Sequence, residues 1–288
     1  STENITAGEI TIGKDWYFKE GTNASLGIGN TVRFDSSGTS QITISEFDNC
    51  SFGNVVIDKL SGKVEQNTSY AAPLEIDGDL TINDYDTLNV YRGVVNGELF
   101  MGTGSEFNFE GITFKVASDV TCGGNMNILA GDFTGNSDFS LSGEMTIDGG
   151  NCILDRPYTG NFMSFAGTLN LVDGNLEITN DGIQFGAGAT TNITDGFIKV
   201  GGHFRANQPN AFQPAGGTVE FIGTGYSSID CSNGNYFHNL EIDKLYSTYS
   251  CYLSDSLLVN NDLTMETGKL EAGSYQIIVN NNVNILTG

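Results

Sequence analysis

Basic side chains are scarce in this sequence: 12 Lys and Arg stand against 35 Asp and Glu, a formal net charge of −23. Such a chain repels a nucleic-acid backbone or an anionic membrane, so neither nucleic acid nor membrane insertion is expected, whereas cations and neutral glycans stay open as partners. The acidity reads first as solubilising charge on an exposed extracellular surface. No apolar run approaches the roughly 20 residues that a membrane-spanning helix needs, and no secretory leader pattern opens the chain. The start at Ser1 without Met points to a processed or excised segment. Histidine is down to 2 residues and proline to 4. The five cysteines, Cys50, Cys122, Cys152, Cys231 and Cys251, form no C-x-x-C pair and have no metal-ligand spacing. Cys231 and Cys251 differ by 251 − 231 = 20 in sequence position, near the length of one solenoid coil, so they are candidates to stack and bridge; buried thiols acting as small hydrophobes are the other reading.

What is abundant is glycine, with 38 residues, alongside 18 Phe, 11 Tyr and many Asn, Thr and Ser. That mixture describes short strands joined by tight turns, because Gly and Asn tolerate the positive φ that bulkier residues avoid. Hydrophobic residues make up 39%, enough for a continuous core. A long internal repeat organises the chain. Asn4-Ile5-Thr6-Ala7-Gly8 returns as Asn192-Ile193-Thr194-Asp195-Gly196, and Thr31-Val32-Arg33-Phe34 as Thr218-Val219-Glu220-Phe221. Asn54-Val55-Val56-Ile57-Asp58-Lys59-Leu60 returns as Asn239-Leu240-Glu241-Ile242-Asp243-Lys244-Leu245. Residues 4–104 thus align with 192–288, leaving 105–191 as an unduplicated middle. Because the last residue matches Gly104 in mid-pattern, the chain reads as a window from a longer array.

A shorter period lies inside the long one. Gly123-Gly124, Asp148-Gly149, Asp173-Gly174, Asp195-Gly196 and Gly216-Gly217 recur at about 21–25 residues, each beside alternating segments such as Leu176-Glu177-Ile178. An antiparallel sandwich would place hairpin turns every 8 to 12 residues and close its core near 100 residues. The observed spacing instead predicts an all-β, parallel β-helix (β-solenoid) of about 13 coils of 20–25 residues, running through 1–288 as a single domain.

The runs Gly216-Gly217-Thr218-Val219-Glu220-Phe221-Ile222-Gly223 and Tyr236-Phe237-His238-Asn239-Leu240-Glu241-Ile242-Asp243-Lys244, followed by Leu258-Val259-Asn260-Asn261-Asp262-Leu263-Thr264, resemble repeats of large secreted β-helix proteins of Bacteroidota, often adhesin-like cargo of the type IX secretion system. The likeness covers both copies, about two thirds of the chain, and no C-terminal sorting domain accompanies it. It implies an extracellular, surface-attached, non-enzymatic role.

A search for chemistry finds little. Enzymatic β-helices need acidic calcium ligands with a basic proton acceptor, or two or three carboxylates held several ångströms apart. Gly201-Gly202-His203 is the nearest fragment to a catalytic signature, yet His203 aligns with Asp15 and His238 with Gly53 in the other copy. Arg156-Pro157 and Arg205 read as isolated cations beside polar turns. No catalytic, cofactor-binding or metal residue is assigned and no enzyme is expected. The one cofactor left open is calcium, held by a stacked column of Asp148, Asp173 and Asp195; the competing reading of that column is ordinary Asx-Gly turn chemistry. Thr191, Thr194 and Thr218 do not extend into an ice-binding ladder. The sequons at Asn4, Asn23, Asn49, Asn67 and Asn192 are expected by frequency and imply no glycan, and Phe133, Phe139, Phe162 and Phe165 are placed in the core. The expected function is an extracellular structural or adhesive cell-surface module, partnered by surface glycans or by other copies end to end; the alternative is a glycan-binding or polysaccharide-cleaving β-helix.

Overall fold

The computed structural model describes residues 7–18, 24–45, 50–68, 72–156 and 162–286. It is an all-β parallel β-solenoid, with no helix among the described residues. The chain divides into two compact units, 1–138 and 139–288.

In the first unit every coil gives a short strand to one parallel sheet, in the order Gly8–Ile12, Asn30–Phe34, Asn54–Ile57, Leu80–Ile82, Leu99–Met101 and Val120–Cys122. A second sheet takes the intervening strands Trp16–Phe18, Ser40–Ile44, Val64–Gln66, Thr87–Val95, Glu106–Val116 and Asn125–Gly135. The last three are long and turn a corner at a register shift: Val90 pairs with Phe109, but Arg92 pairs with Thr113. Both halves of Glu106–Val116 bury alternate residues, with Phe107, Phe109, Phe114 and Val116 inside. Coil length is set by these corners: Thr87 sits over Glu106, an offset of 106 − 87 = 19, whereas Val55 sits over Leu80, an offset of 80 − 55 = 25.

The second unit repeats the scheme. Its first sheet runs Phe139–Leu141, Phe162–Phe165, Gly182–Phe185, Phe204–Ala206, Ser227–Cys231, Ser250–Leu253 and Lys269–Glu271. Phe139, Phe165, Phe185 and Phe204 stack inside it at centroid separations of 5.4, 5.6 and 5.8 Å, one ring per coil. Its second sheet contains Glu144–Leu154, Thr168–Ile178, Phe197–Val200, Thr218–Phe221, Asn239–Asp243, Leu263–Thr267 and Val283–Ile285. The corner glycines are obligatory. Gly174 has φ +93° and a Cβ there would lie 2.1 Å from the Gly150 carbonyl oxygen; at Gly196, φ is +81° and the Cβ would meet the Gly174 oxygen at 2.5 Å. Only glycine combines that conformation with so close an approach of the next coil.

Each unit also buries a lysine just after a strand. Lys59, 8% exposed, donates from Nζ to Ser40 Oγ at 2.8 Å and Ser36 Oγ at 3.0 Å. Lys244, fully buried, donates to the Ile222 carbonyl at 2.6 Å, Ser227 Oγ at 2.7 Å and the Gly201 carbonyl at 3.4 Å. The two lysines occupy aligned places in the sequence repeat, 244 − 59 = 185, as do their serines, 227 − 40 = 187. Burial pulls both ammonium groups below their ordinary pKa, so each is held by hydroxyl or carbonyl oxygens at a real desolvation cost.

Candidate functional site

A cleft of about 640 Å³ opens on the second sheet of the 1–138 unit. Its origin is a mismatch in corner length. Seven residues of sequence lie between Gln66 and Leu74, but in the following coil only Tyr91 and Arg92 lie between Val90 and Gly93. The step is bridged by Gln66, 8% exposed, whose Oε1 accepts the N–H groups of Tyr91 at 2.8 Å and Arg92 at 2.9 Å while its Nε2 donates to the Ala72 carbonyl at 3.1 Å. Tyr91 and Glu110 come to the cleft from the two short corners, and Asn67 and Thr68 from just after the strand Val64–Gln66.

One wall holds Glu65, Asn89 and Asn108, part of a ladder of outward side chains, one from each successive strand, that Asn127 continues beyond the cleft. Glu65 Oε1 accepts from Asn89 Nδ2 at 3.3 Å, Asn89 Oδ1 from Asn108 at 2.9 Å, and Asn108 Oδ1 from Asn127 at 2.7 Å. These residues face out because Leu88, Val90, Phe107, Phe109, Met126 and Ile128, their strand neighbours, face in. An amide carries two N–H donors and an acceptor oxygen with two lone pairs; the ladder uses one N–H and one lone pair of Asn89 and of Asn108, both of which line the cleft. Glu65 is additionally ion-paired with Lys63.

The residues singled out from sequence scatter. Within the second unit, the register lays Asp148 against Asp173, and Asn175 against Phe197 carries the alignment on to Asp195. The column forms, but Asp173 Oδ1 accepts the Gly174 N–H at 2.7 Å and Asp195 Oδ1 the Gly196 N–H at 2.8 Å, the geometry of Asx-Gly turns. Gly123-Gly124 does not belong with these pairs: it sits between Val120–Cys122 and Asn125–Gly135, whereas the Asp-Gly pairs lie at the corners preceding inward-facing Cys152, Leu176 and Ile198. All five cysteines are buried thiols. The proposed bridge fails on register, since Cys251 pairs with Ser227 and Leu253 with Ile229, four residues out of step with Cys231. Burial raises the thiol pKa of Cys251 to about 11 and of Cys122 to about 12.

Arg156 and Arg205 are not isolated. Arg156 pairs with buried Asp181 at 3.7 Å, and Arg205 lies over the Phe162 ring at 4.3 Å. Phe162 is accordingly half-buried on the outside, unlike Phe133, Phe139 and Phe165, which are in the core. Thr191 pairs with Leu169, and Thr218 with Phe197 and Asn239, so these threonines do not stack. Asn192 and Asn67 spend side-chain N–H groups on Asn170 and Thr43 of neighbouring coils. Asn4, Asn23, Asn49 and Pro157 lie outside the described residues. The cleft itself was missed in the sequence; its only trace there is an outward Asn recurring at 89, 108 and 127.

The chain matches no protein-family model, no curated protein and no solved structure.

Proposed function

We propose that this chain is an extracellular structural or adhesive module of a cell surface, and that its cleft holds neutral polyhydroxylated chains without cleaving them. The observation that carries the reading is the Glu65–Asn89–Asn108–Asn127 ladder. At Asn89 and Asn108, one coil or about 4.8 Å apart, it keeps an N–H donor and an acceptor lone pair on side chains already fixed by their neighbours. A ligand with hydroxyls at regular intervals meets a pre-ordered array, so little side-chain entropy is lost on binding. The net charge of −23 disfavours anionic polymers. The resemblance to secreted adhesin-like β-helix repeats supports the extracellular setting, and end-to-end copies are the remaining partner proposed.

One observation favours a second reading, polysaccharide cleavage: two carboxylates, Glu65 and Glu110, line the same cleft. Against it, Glu65 is already engaged by Lys63 and by the Asn89 amide, so it is not a free carboxylate aimed at a ligand. A glycan array with a parallel reducing-end assay separates the two. Binding to neutral glycans that weakens in the double variant Asn89→Ala/Asn108→Ala, with no new reducing ends, is the expected result. Reducing ends that accumulate with wild type and vanish with Glu110→Gln would establish the enzyme instead.

A further inference from the structure

In the 139–288 unit most Phe rings are buried, Phe162 and Phe197 excepted, while several Tyr rings lie on the surface. Phe165, Phe185, Phe204, Phe212, Phe221 and Phe237 are fully buried, whereas Tyr226, Tyr246 and Tyr252 are 58%, 57% and 42% exposed. The exposed rings are not scattered. Tyr226 packs edge-on against Tyr249 at 5.8 Å and tilted against Tyr252 at 5.8 Å, and Tyr249 meets Tyr246 at 5.8 Å. A surface made of four contacting aromatic rings is costly to leave in water, and their hydroxyls keep it wettable; such amphipathic rings are suited to ligands with both apolar and polar faces.

Beside Tyr226 a pocket of about 260 Å³ enters the coil stack. Part of its lining is backbone, from Gly182, Gly201, Gly202 and Gly225. A Cβ on Gly201 would fall 1.7 Å from the Thr179 carbonyl oxygen and one on Gly202 2.5 Å from Asp181, so the coils are too close there for side chains and the hollow persists. The remaining lining is Thr179, Asn180, His203, Thr224 and Tyr226. Asn180 Nδ2 is anchored on Asp155 Oδ1 at 2.6 Å. His203 Nδ1 accepts the Ser228 backbone N–H at 2.9 Å, which puts the proton of the neutral imidazole on Nε2 as a fixed donor. Burial, with Arg205 and Lys244 nearby, holds the His203 pKa below its usual value, so this neutral form prevails at neutral pH. In a chain with 35 acidic side chains, no Asp, Glu, Lys or Arg lines this pocket.

We infer that the pocket and its tyrosine surface are a second carbohydrate site, for a neutral saccharide whose ring lies on Tyr226 and whose hydroxyls meet Asn180, His203 and Thr224. Three features select that class. The uncharged lining disfavours anionic sugars and charged peptides. The mixture of amide, hydroxyl and imidazole supplies donors and acceptors together, as vicinal hydroxyls require. The exposed rings Tyr246 and Tyr252, with half-buried Tyr249 in contact with Tyr226 and Tyr246, extend the aromatic surface past the pocket, which fits an oligosaccharide better than a lone sugar. This site lies in a different unit from the amide-lined cleft and uses different chemistry, so either can fail without the other.

The test is titration of the whole chain with a panel of neutral hexasaccharides of glucose, mannose, galactose and N-acetylglucosamine, read by saturation-transfer NMR and calorimetry. The variants are Tyr226→Ala, Tyr226→Phe and the cleft double variant Asn89→Ala/Asn108→Ala. Saturation reaching tyrosine-bound sugar protons is expected for at least one hexasaccharide. Tyr226→Ala should weaken that binding about tenfold, as loss of one ring stacking contact implies. Tyr226→Phe should stay within about threefold because the ring remains, and the cleft double variant should leave this component unchanged. Tyr226 is surface-exposed, so an unchanged melting curve in the Ala variant confirms that the fold is intact. The inference is overturned if no neutral hexasaccharide binds, if Tyr226→Ala binds as wild type does, or if the whole signal disappears with the cleft double variant. Binding confined to aromatic peptides added as a control would overturn it too.

Discussion

Replacing Lys244 is the sharpest probe of how the coils hold together. Its ammonium lies in the interior of the second unit with two close acceptors, the Ile222 carbonyl at 2.6 Å and Ser227 Oγ at 2.7 Å, and a longer contact to Gly201. Lys244→Met keeps most of the stem and removes the donor, so these buried oxygens are stranded. A stranded buried carbonyl costs about 1–3 kcal/mol, and the Ser227 hydroxyl, which can turn to another partner, adds little to it. Losing a buried charge gives something back, because the ammonium is itself disfavoured by desolvation. The net expectation is a loss of about 1–3 kcal/mol for Lys244→Met. Lys244→Ala also removes three buried methylenes at about 0.8 kcal/mol each, so it should lose about 2–3 kcal/mol more. Lys59→Met should be milder, since its partners are the hydroxyls of Ser36 and Ser40, which can turn to new acceptors as a carbonyl cannot. Urea unfolding followed by far-ultraviolet circular dichroism gives the order wild type, Lys59→Met, Lys244→Met, Lys244→Ala. If Lys244→Met lies within about 0.5 kcal/mol of wild type, the internal cation is dispensable and the reasoning fails.

Gly174→Ala must carry φ +93° with a Cβ 2.1 Å from the Gly150 oxygen, and should destabilise by at least about 2 kcal/mol, whereas Gly13→Ala, with open space around it, should stay within about 0.5 kcal/mol; paired melting curves decide. Burial raises the pKa of Asp86 from 3.8 to about 6. Between those values the folded chain holds more protons than the unfolded one, so the contribution of Asp86 to stability is present at low pH and is lost as pH climbs from about 4 to 6. Asp86→Asn keeps an acceptor for the Lys59 N–H, now bonded at 3.0 Å, and should flatten that part of the curve; an unchanged slope would refute the assignment. The five buried thiols should resist a thiol-alkylating reagent in the folded chain at pH 8 and all react in denaturant, which mass spectrometry counts directly.

Much of the fold was written locally. Alternation in segments such as Leu176-Glu177-Ile178 dictates which side chains go inward, and the Asp-Gly corners fix where the chain bends, because both depend only on neighbours along the backbone. Coil period followed from their spacing. What spacing could not supply was register, since corners of different length make coils of unequal length even within the first unit, as the pairs Thr87–Glu106 and Val55–Leu80 show. That is why Cys231 and Cys251 miss each other while Ser227, four positions earlier than Cys231, pairs with Cys251. The same uncertainty hid both sites. The cleft lies where seven residues separate Gln66 from Leu74 but only two separate Val90 from Gly93 in the next coil, and the tyrosine surface forms because Tyr226 and Tyr252, on strands or corners one coil apart, come within 5.8 Å. Phe162 looked like a core residue until the position of Arg205 made its outer placement plain. Sequence alone determined a stack of parallel coils, because strand and turn preferences are short-range. Tertiary structure alone decided which residues share a surface, because that depends on how many residues each corner consumes.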